Sequence, residues 1–167
     1  MQTCPCGSGE LFECCCQPFI SGSAVPPTAE ALMRSRYAAY VEHAIDYLGD
    51  TLHPAHRADW DRDATRRWAE SAEWRGLEIV TTEGGGGDDT DGIVEFVARF
   101  VEDGVTREHH ERSRFERETG LGHDELGADL LQTWNLPDTI TAAIRHHHDP
   151  ENALSDGPNS WPLDSVG

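Results

Sequence analysis

The chain contains no lysine at all. Its 13 basic residues are all arginine and face 31 Asp and Glu, so the formal net charge is −18 over 167 residues. A surface this poor in cations repels phosphate backbones and has few groups from which counterion release could drive binding, which argues against nucleic acid as the main partner. No apolar run approaches the ~18 residues that a membrane helix requires, so no membrane association is expected. The N-terminus is polar and reaches a cysteine at position 4, unlike a secretory signal, so the expected compartment is the cytoplasm, where thiols stay reduced. A GC-rich genome would account for missing Lys but not for surplus carboxylates. Dense acid is the pattern of a salty, halophilic cytoplasm, in which ions screen the self-repulsion.

Cysteine is missing from most of the chain too. All five cysteines fall between positions 4 and 16, in Cys-Pro-Cys-Gly-Ser-Gly-Glu-Leu-Phe-Glu-Cys-Cys-Cys. Thiols one residue apart bridge each other poorly, but both can face one tetrahedral ion while Gly7 and Gly9 let the backbone turn tightly. An odd number of cysteines with no partner elsewhere argues against a disulfide framework. A second thiol pair from Cys14, Cys15 and Cys16 would complete four ligands. Zinc is the expected ion, since it takes thiolate sulfur and a closed shell contributes folding free energy; iron is the alternative.

This stretch resembles the SEC-C module found at the end of the translocase motor SecA, whose motif runs Cys-x-Cys, eight residues that begin x-Ser-Gly, then Cys-Cys or Cys-His. The resemblance implies Cys4, Cys6, Cys15 and Cys16 as ligands of one structural zinc, Ser8 and Gly9 in the turn and Phe12 as the module's aromatic. Cys14 is then the extra thiol, and an exchange of Cys14 for Cys15 stays open.

The length suits one ordinary domain beside a small appendage. Residues 1–20 form the expected module, and Ser21 to Pro27 reads as a linker. Thr28 is a candidate helix N-cap. Met33, Tyr37, Tyr40, Val41, Ala44 and Leu48 then recur at steps of three and four, predicting one buried helical face that ends near Gly49 or His53-Pro54. A second helix is expected over about Asp59 to Glu73. Strands are expected over Leu77 to Thr82, Ile93 to Glu102 and Val105 to Glu116, with Val94, Phe96, Ala98 and Phe100 on one face and a hairpin turn at Asp103-Gly104. Glu83 to Asp89, with four consecutive glycines, reads as an exposed loop. Acidic flanks and the lack of a lysine or a following helix argue against a phosphate cradle.

Helices followed by an antiparallel meander predict an α+β domain, with helices covering one face of a curved sheet. Ala31 to Tyr40, Tyr47-Leu48, Thr51 to Pro54, Glu73 to Leu77, Phe96 to Phe100 and Glu111 to Phe115 resemble, in that order, the YchJ family. Its members place a SEC-C module before a nuclear-transport-factor-2-like domain. The resemblance covers about residues 1–118, with the domain at 28–118, and implies a cone-shaped fold but no known reaction. The space between helices and sheet is the expected pocket, with Tyr37, Tyr40, Asp46, Tyr47, His53 and Arg99 as candidate lining groups. Arg99 could instead pair with Glu95 or Glu111 across the sheet.

After Glu118 the chain departs from that family, and the strand that usually closes the sheet is not evident. Leu126, Leu130, Leu131 and Trp134 mark a helix, and Pro137 opens another that carries Ile140 and Ile144. Residues 120–150 resemble the closing helix pair of HDOD and HD-GYP domains. In catalytic relatives, the counterparts of His123, His147 and His148 bind metals that activate water. The upstream ligands and the lysine of such a site have no counterpart here, and a His-rich helix end is also ordinary electrostatics. Residues 151–167 read as a tail of little order, anchored only by Trp161.

The expected function is therefore a zinc-binding protein that acts by protein interaction or small-ligand binding, with a protein partner on the SEC-C module or a second copy of itself. The alternative is an HD-type metal-dependent phosphohydrolase, or an HDOD-like signalling protein, carried by the C-terminal segment.

Overall fold

The computed structural model describes residues 2–118 and 133–135. A 3-10 turn at Phe12–Cys14 leads into α1 (Gln17–Ile20), followed by α2 (Ala29–Val41), α3 (Ile45–Asp50), α4 (Pro54–Arg57) and α5 (Arg62–Ser71). The sheet comprises β1 (Glu73–Gly84), β2 (Asp91–Glu102), β3 (Val105–Glu118) and the short β4 (Thr133–Asn135), antiparallel in the order β1-β2-β3-β4. This is an α+β arrangement with an N-terminal cysteine cluster, as the sequence predicts.

Thr28 caps α2, its Oγ1 accepting from the Ala31 N–H at 3.0 Å. The expected single helix through Leu48 is in fact two. Backbone Glu42 to Ala44 interrupts it, with His43 in the left-handed region at φ 56°. That reversal re-aims the chain so that Ile45 and Leu48 can join the core already made by Leu32, Met33, Tyr37 and Tyr40. The second expected helix is shorter than predicted, running over Arg62–Ser71. Asp61 starts α5 by accepting from the Ala64 N–H at 2.8 Å, and Glu73 already belongs to β1.

On β2 the even-numbered residues Val94, Phe96, Ala98 and Phe100 face the helices and are buried, while Asp103 and Gly104, at φ 51° and 75°, form the tight turn into β3. The centre of the domain is aromatic. Tyr40 lies 5.2 Å from both Trp68 and Trp74, Trp68 and Trp74 are 5.1 Å apart, and Phe100 stands 5.7 Å from Trp68, mostly edge-to-face.

Two further expectations are corrected. The glycine loop is not merely exposed: Gly85, at φ 74°, is buried, accepts from the Ala29 N–H at 2.9 Å, and leaves no room for a side chain, since a Cβ would sit 2.7 Å from that of Ala29. The sheet also gains a fourth strand after all. Thr133–Asn135 pairs with β3, Trp134 standing opposite Arg117, so Trp134 belongs to a strand rather than a helix. Its physical reason is the open hydrogen-bonding edge of β3, which a β-prone Thr-Trp pair can fill. The remainder of the expected helix pair at 120–150, with His123, His147 and His148, and the tail at 151–167 lie outside the described residues.

Candidate metal centre

The four cysteines come together from two short elements. A Thr3–Leu11 bridge, with Cys4 N–H donating to the Glu10 carbonyl at 2.7 Å and Phe12 N–H to that of Gln2 at 2.9 Å, makes a small hairpin carrying Cys4 and Cys6. Gly7, at φ 78°, lets its tip turn and come close to β1, where a Cβ would sit 3.0 Å from the Leu77 carbonyl oxygen. The 3-10 turn then delivers Cys15 and Cys16 back to the hairpin. All four sulfur atoms lie within 4.8 Å of one another, so the group could hold a metal ion. The Sγ atoms of Cys6 and Cys15 are 3.6 Å apart and those of Cys15 and Cys16 3.8 Å, far beyond the roughly 2.05 Å of a disulfide. Ser8 Oγ sits 3.2 Å from the Cys15 sulfur and accepts from the Glu10 N–H at 3.2 Å.

The geometry separates the adjacent thiols: Cys15 faces the cluster, whereas Cys14 is exposed and outside it. Cys4, Cys6 and Cys16 are buried around Ala38 of α2, with Phe12 and Ile20 alongside. Within this thiol cluster, a hydrogen bond from Cys16 holds Cys6 down to about 4, well below an ordinary thiol. Burial pushes Cys4 up to about 12, and Cys16 is driven up as well, first by its hydrogen bond to Cys6 and then by burial. One sulfur thus carries the charge that its neighbours' protons share, which is the electronic arrangement that a bound cation would replace.

Arg34 and Ala38 of α2 escaped the sequence reading. Arg34 Nη1 donates to the Cys6 carbonyl at 2.8 Å and its Nε to Glu30 Oε1 at 2.8 Å. The only signal in the sequence was the i, i+4 spacing of Glu30 and Arg34, which reads as a surface helix pair.

Of the expected pocket groups, Asp46 and Tyr47 line a common cleft, and the others lie apart from it. Tyr37 and Tyr40 are buried in the aromatic core, where burial raises both phenols, Tyr37 to about 12. Tyr47 shares a 2.7 Å hydrogen bond with Ser35, and the His53 ring caps α4 by accepting from the Ala55 N–H at 3.3 Å. Arg99 projects from the opposite, outer face and pairs with Glu108 at 2.7 Å and Glu78 at 2.8 Å, neither of which is Glu95 or Glu111. Register explains this: Glu108 stands directly opposite Arg99, whereas Glu111 faces the helices. Asp46, paired with Arg62, lines a cleft of about 380 Å³ together with Tyr47, Asp50, Thr51 and residues of α1 and the linker. Among the polar groups that sequence reasoning passed over is Arg36, 2% exposed, whose Nη1 donates to the Leu48 carbonyl at 2.7 Å and to Thr51 Oγ1. No helix among the described residues is long and apolar enough to cross a membrane.

With the cysteine cluster seated on a helix-covered sheet, residues 28–121, more than half of the chain, match the family described as YchJ, middle NTF2-like domain. The chain belongs to the YchJ family. Among its relatives, a UPF0225 protein of Geobacter sulfurreducens is 54% identical over 114 residues, covering 68% of this chain and 71% of the relative. A UPF0225 protein of Serratia proteamaculans is 47% identical over 118 residues, covering 68% and 75%. Two solved structures are similar to this YchJ-family chain. A SEC-C motif containing protein from Psychrobacter arcticus superposes with a TM-score of 0.72 at 30% identity, over 84% of this chain and 83% of that one. Another, from Rhodopseudomonas palustris, gives 0.68 at 34% identity, over 82% and 96%. Residues 94–150 also match the HDOD domain, but the described parts of that match, residues 94–118 and 133–135, are strands β2, β3 and β4 of the sheet.

Proposed function

We propose that this YchJ-family protein binds one zinc ion through Cys4, Cys6, Cys15 and Cys16, and that the ion is structural. The observation that carries this reading is the spacing of the sulfurs. A tetrahedron with zinc–sulfur bonds of about 2.3 Å has edges of about 3.8 Å; the Cys6–Cys15 and Cys15–Cys16 sulfur pairs stand at 3.6 and 3.8 Å, and all four sulfurs lie within 4.8 Å of one another. Four protein ligands close the shell and leave no position for a substrate, so the ion's contribution is to hold the hairpin and the 3-10 turn together. Iron in the same thiolates is the competing assignment, and elemental analysis of protein purified without a metal-binding tag separates the two.

The module then acts as a binding element on the NTF2-like domain, in a protein that works in the cytoplasm by interaction rather than catalysis. Support comes from the pocket residues expected for chemistry, which are dispersed between an aromatic core and the outer face. The cleft beside α1, rimmed by Asp46 and Asp50 with Phe19, Ile20, Val25 and Pro26 as its apolar wall, suits a basic, apolar-anchored segment of a protein partner. Reversing one rim charge in Asp50→Arg would weaken such a partner, and sedimentation would distinguish it from a second copy of this chain. An HD-type phosphohydrolase or HDOD-like signalling role is the second reading, supported by the HDOD match. It requires a second metal that disappears when His147 and His148 are changed.

A further inference from the structure

Nothing but a seven-residue linker joins the cysteine module to the domain by sequence, yet the two share an interior. Ala38, fully buried on α2, packs in one cluster with Cys4, Cys6 and Cys16. Gly7 brings the hairpin tip against β1, where a Cβ would sit 3.0 Å from the Leu77 carbonyl oxygen. Between these contacts stands Arg34. Its guanidinium holds the carbonyl of one metal-facing cysteine with Nη1 while Nε is fixed by Glu30, each at 2.8 Å. The linker folds back as well, with Ser23 and Ala24 N–H donating to the Pro18 carbonyl at 2.9 and 3.0 Å.

A charged donor on the Cys6 carbonyl fixes the peptide plane next to the ligand and so the direction in which its sulfur points. This donor comes from the domain, not from the module. We propose that Arg34 is a positioning residue of the metal site, and that through Arg34 and Ala38 the metal and the NTF2-like domain stabilise each other. The proposal rests on the zinc reading above. Because the coupling is thermodynamic it is reciprocal: whatever factor the domain adds to zinc affinity, zinc returns to the folding equilibrium of the domain.

Tryptophan makes this measurable. The module and linker, residues 1–27, contain none of the five tryptophans, whereas Trp68 and Trp74 sit in the domain core, so in a Trp134→Phe/Trp161→Phe background, used for every form of the protein compared, tryptophan fluorescence during urea unfolding follows the domain and not the module. Zinc, with a filled d shell, is not itself a redox quencher. The full chain is stripped of metal under reducing conditions and titrated with zinc against a chromophoric chelator. Its tryptophan unfolding is then recorded with and without zinc, for the wild type, Arg34→Met and Arg34→Lys. The expected result is a zinc-dependent rise in the wild-type tryptophan midpoint. In Arg34→Met, zinc binding should weaken about tenfold to a hundredfold, as for other outer-shell partners, and the zinc-dependent rise should shrink in proportion. Arg34→Lys, which keeps a donor but loses the fork to Glu30, should fall between. If Arg34→Met does not fold, Glu30→Gln, which removes the carboxylate charge that fixes Nε while keeping Arg34 itself, is measured instead and should also weaken zinc. Zinc bound by the wild type with a tryptophan transition that does not move, or with affinity unchanged in the variants, would overturn the coupling and leave the zinc site standing. A wild type that takes up no zinc would overturn both.

Discussion

The guanidinium of Arg34 and the carbonyl of Cys6 are 2.8 Å apart, a contact spanning 28 positions in sequence that ties the cysteine hairpin to the first long helix of the NTF2-like domain. The module is therefore not a bead on a string. Cys4, Cys6 and Cys16 are buried together with Ala38 of α2, while Cys15 is half-buried and Cys14 exposed.

Cys14 and Cys15 are adjacent, yet only Cys15 joins the sulfur cluster. Cys15→Ser should lose bound metal, whereas Cys14→Ser should retain the wild-type stoichiometry. Elemental analysis of the two variants checks this, and equal retention in both would mean that the turn can deliver either sulfur.

Metal affinity should fall as pH falls. Cys4, raised to about 12, and Cys16, raised by its bond to Cys6, carry protons at neutral pH, whereas Cys6, lowered to about 4, does not. Binding must displace the first two protons, so apparent affinity should drop about a hundredfold per unit of acidification from those thiols. Chelator competition across pH 6 to 8 measures the slope, and a flat profile would contradict the burial of protonated thiols.

The glycine loop offers a test of packing. Gly85 touches Ala29 at positive φ, whereas a Cβ on Gly87 meets nothing within 4 Å. Gly85→Ala should cost about 1–3 kcal/mol in urea unfolding, and Gly87→Ala should stay within about 0.5 kcal/mol of wild type. Equal effects would mean that the loop does not rest on α2.

Salt should stabilise the protein. The outer face of the sheet carries cross-strand pairs such as Glu78–Arg99–Glu108 and Glu83–Arg112, which screening weakens, but these are exposed and individually small. Self-repulsion from a net charge of −18 is the larger quantity, so the unfolding midpoint should rise between 0.1 and 2 M KCl. A falling midpoint would speak against adaptation to high salt.

The parts of this fold legible in the sequence are those set by local periodicity. Thr28 as a cap, the alternation from Val94 to Phe100 and the Asp103-Gly104 turn depend on neighbours a few residues away. The break at His43 was not legible, because a left-handed histidine is held there by the tertiary need to turn Ile45 and Leu48 inward. Nor was the burial of Gly85, or the strand at Trp134, which is created by the free edge of β3 rather than by its own pattern. In the site, thiol chemistry and spacing pointed to the cluster, while the part played by Arg34 and Ala38 depends on docking between two units and leaves no local signature.

The central claim is that one zinc sits among Cys4, Cys6, Cys15 and Cys16. The most direct measurement is metal per chain by elemental analysis of untagged protein, repeated on Cys4→Ser/Cys6→Ser. One zinc per chain in the wild type and none in the variant is the expected result. Zinc absent from the wild type, or retained in full by the variant, would contradict the account.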